Sequence, residues 1–208
     1  MREACAGAAW WWVASSATWV RLYINMLMKT IIGIGIIATM LAGGGLGASA
    51  FAAATEPISG KQAFQVLKGL AGEWTGKMQE GGAEPSVTIL YRVTAAQSAV
   101  VETLFPNTDH EMVTVYHMDG EKLVLTHYCA AGNQPHMALT KKATSADLVF
   151  DFVSGSNMNP KKDAHMHSAH IHLESADRIL GEWTGFKDGK PNHSAKFWLT
   201  RKKLAVTS

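Results

Sequence analysis

The chain has 208 residues, with 19 Lys and Arg against 17 Asp and Glu, a formal charge of +2. If Arg2, Glu3, Arg21 and Lys29 leave with an N-terminal leader, basic and acidic residues become equal in number, and a neutral domain lacks the electrostatic footprint of a nucleic-acid binder. Cys5 leaves too, and the lone Cys129 excludes an internal disulfide.

The leader is written in residues 28–54. Met28-Lys29-Thr30 opens a positive segment, and an Ile- and Gly-rich apolar run continues through Leu46. Ala48-Ser49-Ala50 and Ala50-Phe51-Ala52 then offer small-x-small cleavage sites. This reads as a secretory signal peptide and sends the product to the periplasm or outside the cell. An uncleaved anchor is the competing reading, because the apolar run is nearly long enough to span a bilayer. Its Gly and Ala content and its AxA exits favour cleavage, which leaves no stable membrane span. Residues 1–27, with Trp10-Trp11-Trp12, read as an extension upstream of a start at Met28. The folded domain is then 55–208, a usual size for one core.

Within that domain Ser59 caps an expected helix over Gly60–Leu70, where Phe64, Leu67 and Leu70 recur at helical spacing. From Gly72 onward the pattern changes to ten short strands, at about 72–80, 86–94, 98–105, 110–118, 121–129, 134–141, 146–153, 164–174, 177–185 and 193–202. Turn-like pairs such as Gly81-Gly82, Asp119-Gly120 and Asp188-Gly189 join them. Short strands with short turns and no intervening helix predict an all-β, antiparallel up-and-down barrel with a short N-terminal helix. The longest join, Ser154–Asp163, reads as a mobile flap at one rim.

Asp119-Gly120 is the strongest turn signal in the chain. With those two residues at the centre, Tyr116 faces Leu123, Thr114 faces Leu125, Met112 faces His127 and His110 faces Cys129. Alternation puts all eight on one face, which carries no formal charge and is expected to point inward. In the eighth strand His165, His167, Ala169, Ile171 and Leu173 make the more apolar face, again expected inward. His170 and His172 then lie outside as polar surface. The inward set His110, His127, His165 and His167 is a candidate metal or haem site, because His-x-His on a strand can place two ligands on one ion. Imidazoles suit Zn, Cu or Fe, and nearby Met112 and Cys129 shift the choice toward Cu or Zn. Pairing with residues 87–93 puts Glu102 beside Tyr91 on an apolar face. That placement conflicts with an inward His110 unless the turn at Pro106–Asp109 carries a bulge. Tyr91, Glu102, Met112, Tyr116, His127 and Cys129 form the expected ligand-facing group. Each also has a plainer reading: His as a hydrogen-bonded wall residue, Cys as a small buried hydrophobe, Tyr as a strand former.

Gly72-Glu73-Trp74 opens the first strand, and Phe197-Trp198-Leu199-Thr200-Arg201 closes the last. This resembles the calycin pattern of lipocalins, fatty-acid-binding proteins and nitrobindin-like barrels, in which a G-x-W tryptophan packs against a terminal Arg or Lys. The resemblance implies that Trp74 and Arg201 are that pair, and that the interior holds a small apolar ligand or haem. Ten strands are closer to the fatty-acid-binding and nitrobindin-like barrels than to the eight-stranded lipocalins. The leading expectation is an exported barrel that binds a small apolar molecule, haem or a metal. One alternative is a metal-dependent enzyme, with barrel His on Zn or Fe and Glu102 or a Tyr as acid–base group. Another is a structural envelope protein with a packed interior. Gly-rich phosphate loops and GxSxG elbows are absent from the sequence, so nothing in it supports hydrolysis.

Overall fold

The computed structural model describes residues 56–203, and the expected leader lies outside them. Ser59 accepts the Gln62 backbone N–H while the Gln62 side chain reaches back to the Ser59 N–H. This capping box starts helix α1 (Gly60–Gly69). Its buried residues Ala63, Phe64 and Leu67 lie at helical spacing, and Leu70 joins the same core. Gly60 sits so close to the Glu121 carbonyl and the Leu123 amide that a side chain there would collide with both. The helix therefore rests on the chain around Glu121 and covers one end of the sheet.

Ten strands follow: β1 (Gly72–Gln79), β2 (Ser86–Thr94), β3 (Ala99–Leu104), β4 (Met112–Asp119), β5 (Lys122–Tyr128), β6 (Gln134–Leu139), β7 (Asp147–Ser156), β8 (His165–Ser175), β9 (Arg178–Lys187) and β10 (Lys190–Arg201). Each pairs antiparallel with its chain neighbours, and β10 pairs with β1 to close the barrel. Closure removes the sheet edges. Alternate side chains fill the interior, among them Trp74, Ile89, Val100, Leu125 and Phe150. No helix among the described residues is long and apolar enough to cross a membrane.

Trp74 and Arg201 are cross-strand partners at the closing seam. The Arg201 guanidinium carbon lies 4.3 Å from the centre of the buried Trp74 ring, a cation–π contact. Its nitrogens donate to the carbonyls of Gly69 at 2.9 Å and Ala71 at 2.8 Å, while Trp74 Nε1 donates to Leu70 O at 2.8 Å. One cation–π pair of side chains thus ties the end of α1 to the first and last strands.

The β4–β5 register differs from the expected one. Thr114 faces His127, Tyr116 faces Leu125 and Asp119 faces Lys122, which puts Gly120 and Glu121 at the centre of the turn. Gly120 has φ of +58°, which suits the first central position of a hairpin turn. Each partner moves by two residues, an even step, so the inward faces are unchanged. Expected strand β4 from His110 instead begins at Met112, and His110 is exposed in the preceding turn. No bulge is needed to reconcile the faces: Glu102 pairs with Thr114 in regular register and both point in. The segment read as a flap is partly strand, since β7 runs to Ser156. The rest is pinned by Asn159 N–H to Asp163 at 2.6 Å and by Asp188 N–H to Lys162 O at 3.2 Å.

Candidate functional site

Four strands bring polar side chains together inside an otherwise apolar barrel. Glu102 on β3 is 2 % exposed. It accepts the hydroxyl of Tyr91 on β2 at 2.7 Å and that of Tyr116 on β4 at 2.6 Å. These lengths suit hydroxyl donation to a carboxylate. Burial raises the Glu102 pKa, while hydrogen bonds from Tyr116, Tyr91 and Thr114 oppose that rise. Both tyrosines are raised well above their ordinary value, by burial first and by the Glu102 charge second.

Thr114 carries this network to His127. The Thr114 hydroxyl and His127 Nδ1 share a hydrogen bond of 2.9 Å. The other ring nitrogen, Nε2, is buried and has no hydrogen-bond partner. Trp183 on β9 covers the ring, with centroids 4.6 Å apart. Burial lowers the His127 pKa to about 4, so the ring is neutral at physiological pH.

His127 also borders a cavity of about 90 Å³, together with Leu104, Met112, Met166, Trp183 and Phe197. The cavity opens at the barrel end opposite α1, where Met78, Glu80 and Phe105 complete its wall. Thus Tyr91, Glu102, Met112, Tyr116 and His127 do share the interior. Cys129 does not: β5 ends at Tyr128, and the half-buried Cys129 sits in the turn beyond, its N–H bonded to Asn133 O.

The four expected metal ligands do not converge. His110 is exposed, as described above. His165 and His167 are displaced by a register shift between Met166 and Ser168, which moves Met166 onto the cavity wall. His165 Nδ1–H donates to Asp163 O at 2.8 Å, so its Nε2 accepts from His167 Nδ1 at 3.1 Å. Phe152 and Phe186 sandwich the His167 ring at 5.0 and 3.8 Å. Burial, and then the His165 charge, lower the His167 pKa against the pull of Asp151.

His170 and His172 lie on the outer wall, but not as unattached surface polarity. Both meet one oxygen of Asp147, His170 Nε2 and His172 Nδ1 each at 2.8 Å. Burial acts to raise the Asp147 pKa, and the hydrogen bonds and charge of the two His outweigh it and hold it low. Asp147 escaped sequence reasoning because its place opposite His172 depends on the β7–β8 register. Nothing in sequence pairs Trp183, on β9, with His127.

No family model and no curated protein matches the chain. Solved structures similar to it in fold include the following two. One is a protein of unknown function from the DUF3598 family of Nostoc punctiforme, 13 % identical, with a TM-score of 0.46 over 74 % of this chain and 53 % of that one. The chain therefore spans about half the length of that protein. The other is Rv2717c from M. tuberculosis, 15 % identical, with a TM-score of 0.48 over 68 % of this chain and 98 % of that one.

Proposed function

We propose that this barrel is an exported, calycin-like carrier of a small, largely apolar molecule that presents a hydrogen-bond donor to His127. The observation that carries the reading is the partnerless, buried His127 Nε2 on a cavity wall. In this reading the His127 proton sits on Nδ1, facing Thr114, and Nε2 is an acceptor; a buried acceptor without a donor is unfavourable by about 1–3 kcal/mol, which a ligand hydroxyl or N–H that reaches it gains back. Apolar walls supply the rest. An engineered cavity of about 150 Å³ holds benzene, so 90 Å³ receives the end of a ligand, with the remainder toward the mouth. Met78, Met112 and Met166 are unbranched and can re-pack around it. The export part of the reading is supported by residues 28–54.

The test uses 4-ethylphenol and its methyl ether, followed by tryptophan emission. The phenol should bind saturably, and the ether, which lacks the donor, about tenfold more weakly. His127→Phe keeps a ring against Trp183 and should erase that difference. Equal binding of the two probes by the unsubstituted protein would refute the reading. A Soret band in the protein purified from its native compartment would replace it with a haem role.

A further inference from the structure

We propose that Asp147, His170 and His172 form a binding site for a divalent transition-metal ion on the outer wall of the barrel. The three ligand atoms lie within 4.8 Å of one another. They come from two adjacent strands whose spacing the ladder fixes: Asp147 is opposite His172, and Val149 is opposite His170. His-x-His puts both rings on one face of β8, and the carboxylate reaches between them from β7.

The arrangement is set up before any ion arrives. Thr144 Oγ1 accepts the Asp147 N–H at 3.0 Å, and Thr144 N–H donates to Asp147 O at 2.8 Å. The base of the carboxylate is therefore held on both sides. Each imidazole is already aimed at the carboxylate oxygen, 2.8 Å away. Ligand atoms about 2.0–2.1 Å from a tetrahedral ion stand about 3.3 Å apart. An ion therefore enters by a small opening of the two contacts, without a change of rotamer. Each imidazole proton moves to the other ring nitrogen, so neutral His can ligate with no net proton release. Leu180 and Glu182 on β9 are the register partners of His172 and His170. Leu180 borders the site with an aliphatic side chain, and Glu182, 3.6 Å from Lys196, is within the same face as a further carboxylate. Two imidazoles and a carboxylate, with one position left for water, suit Zn²⁺ and its first-row neighbours rather than Ca²⁺ or Mg²⁺.

A plain Asp-bridged His pair makes the opposite forecast, no affinity for an ion, so a titration separates the two. Chelator-treated protein is titrated with Zn²⁺ by calorimetry at neutral pH, with Mg²⁺ as comparison. We expect one Zn²⁺ per chain, no Mg²⁺ heat, and a higher Tm with Zn²⁺. His170→Ala, His172→Ala and Asp147→Asn should each weaken Zn²⁺ by at least about tenfold, the range that even ligand-supporting residues reach. His127→Phe should leave it unchanged, which keeps this result separate from the fate of the interior ligand reading. All three ligands are surface residues, and circular dichroism of each variant verifies the fold. Absence of Zn²⁺ binding overturns the proposal. So does binding that survives His170→Ala/His172→Ala, or that is lost in His165→Ala/His167→Ala instead.

Discussion

His127 stores a pH dependence. Burial holds its pKa at about 4, against 6.5 for an unburied imidazole. Between those values the unfolded chain binds the proton and the folded one does not. The contribution of a neutral His127 is therefore complete above pH 6.5 and shrinks as pH falls toward 4. Across the whole window it amounts to about 3 kcal/mol. Urea unfolding at pH 7 and at pH 4.5 measures it. Wild type should lose about 2–3 kcal/mol more than His127→Phe between the two, and parallel losses would show that the ring is not held neutral by the fold. At this scale the sequence was informative where alternation is unbroken. The inward placement of Thr114, Tyr116 and His127 follows from period two alone, while that of Glu102, in conflict with an inward His110 in the sequence, needed the β3–β4 register. The hydrogen bonds among these side chains do not follow from period two, because they depend on which rows of the ladder meet.

Among elements, the seam between β1 and β10 makes the sharpest forecast. Arg201 stacks on Trp74 and also takes carbonyls at the end of α1, so each partner holds the other and the helix. Trp74→Ala and Arg201→Ala should each destabilise, and the double variant should fall short of their sum by about 0.5–3 kcal/mol. Thermal and denaturant unfolding of the four proteins tests this, and strict additivity would mean the contact contributes nothing. The pair was legible because its two motifs sit at the ends of the strand series. Helix α1 was legible from its cap and its spacing, and all ten strands from their turns. The eighth strand was misjudged for a physical reason. His165, His167 and Ala169 alternate without a flaw, and a bulge that shifts one residue leaves no mark on such a pattern. The β4–β5 turn was misplaced by one position because Asp119-Gly120 and Gly120-Glu121 both put a Gly where positive φ is needed.

For the whole molecule, the export reading forecasts a mature N-terminus between Ser49 and Glu56, after the two AxA sites. N-terminal sequencing of the protein from its final compartment decides it, and retention of residues 31–46 would count against it. The barrel itself starts only at α1, so that cleavage leaves every described element in place.

The seam has a consequence in time as well as in space. Trp74 and Arg201 lie at opposite ends of the folded sequence, and their strands are neighbours. Local hairpins such as β4–β5 can form as soon as they are made, but the ring cannot shut until the last strand is available. Until then β1 and the newest strand both carry open backbone donors and acceptors. Closure across so long a loop is also entropically slow. The ring therefore stays open until the last strand, with Arg201, has been made, however early the local hairpins form.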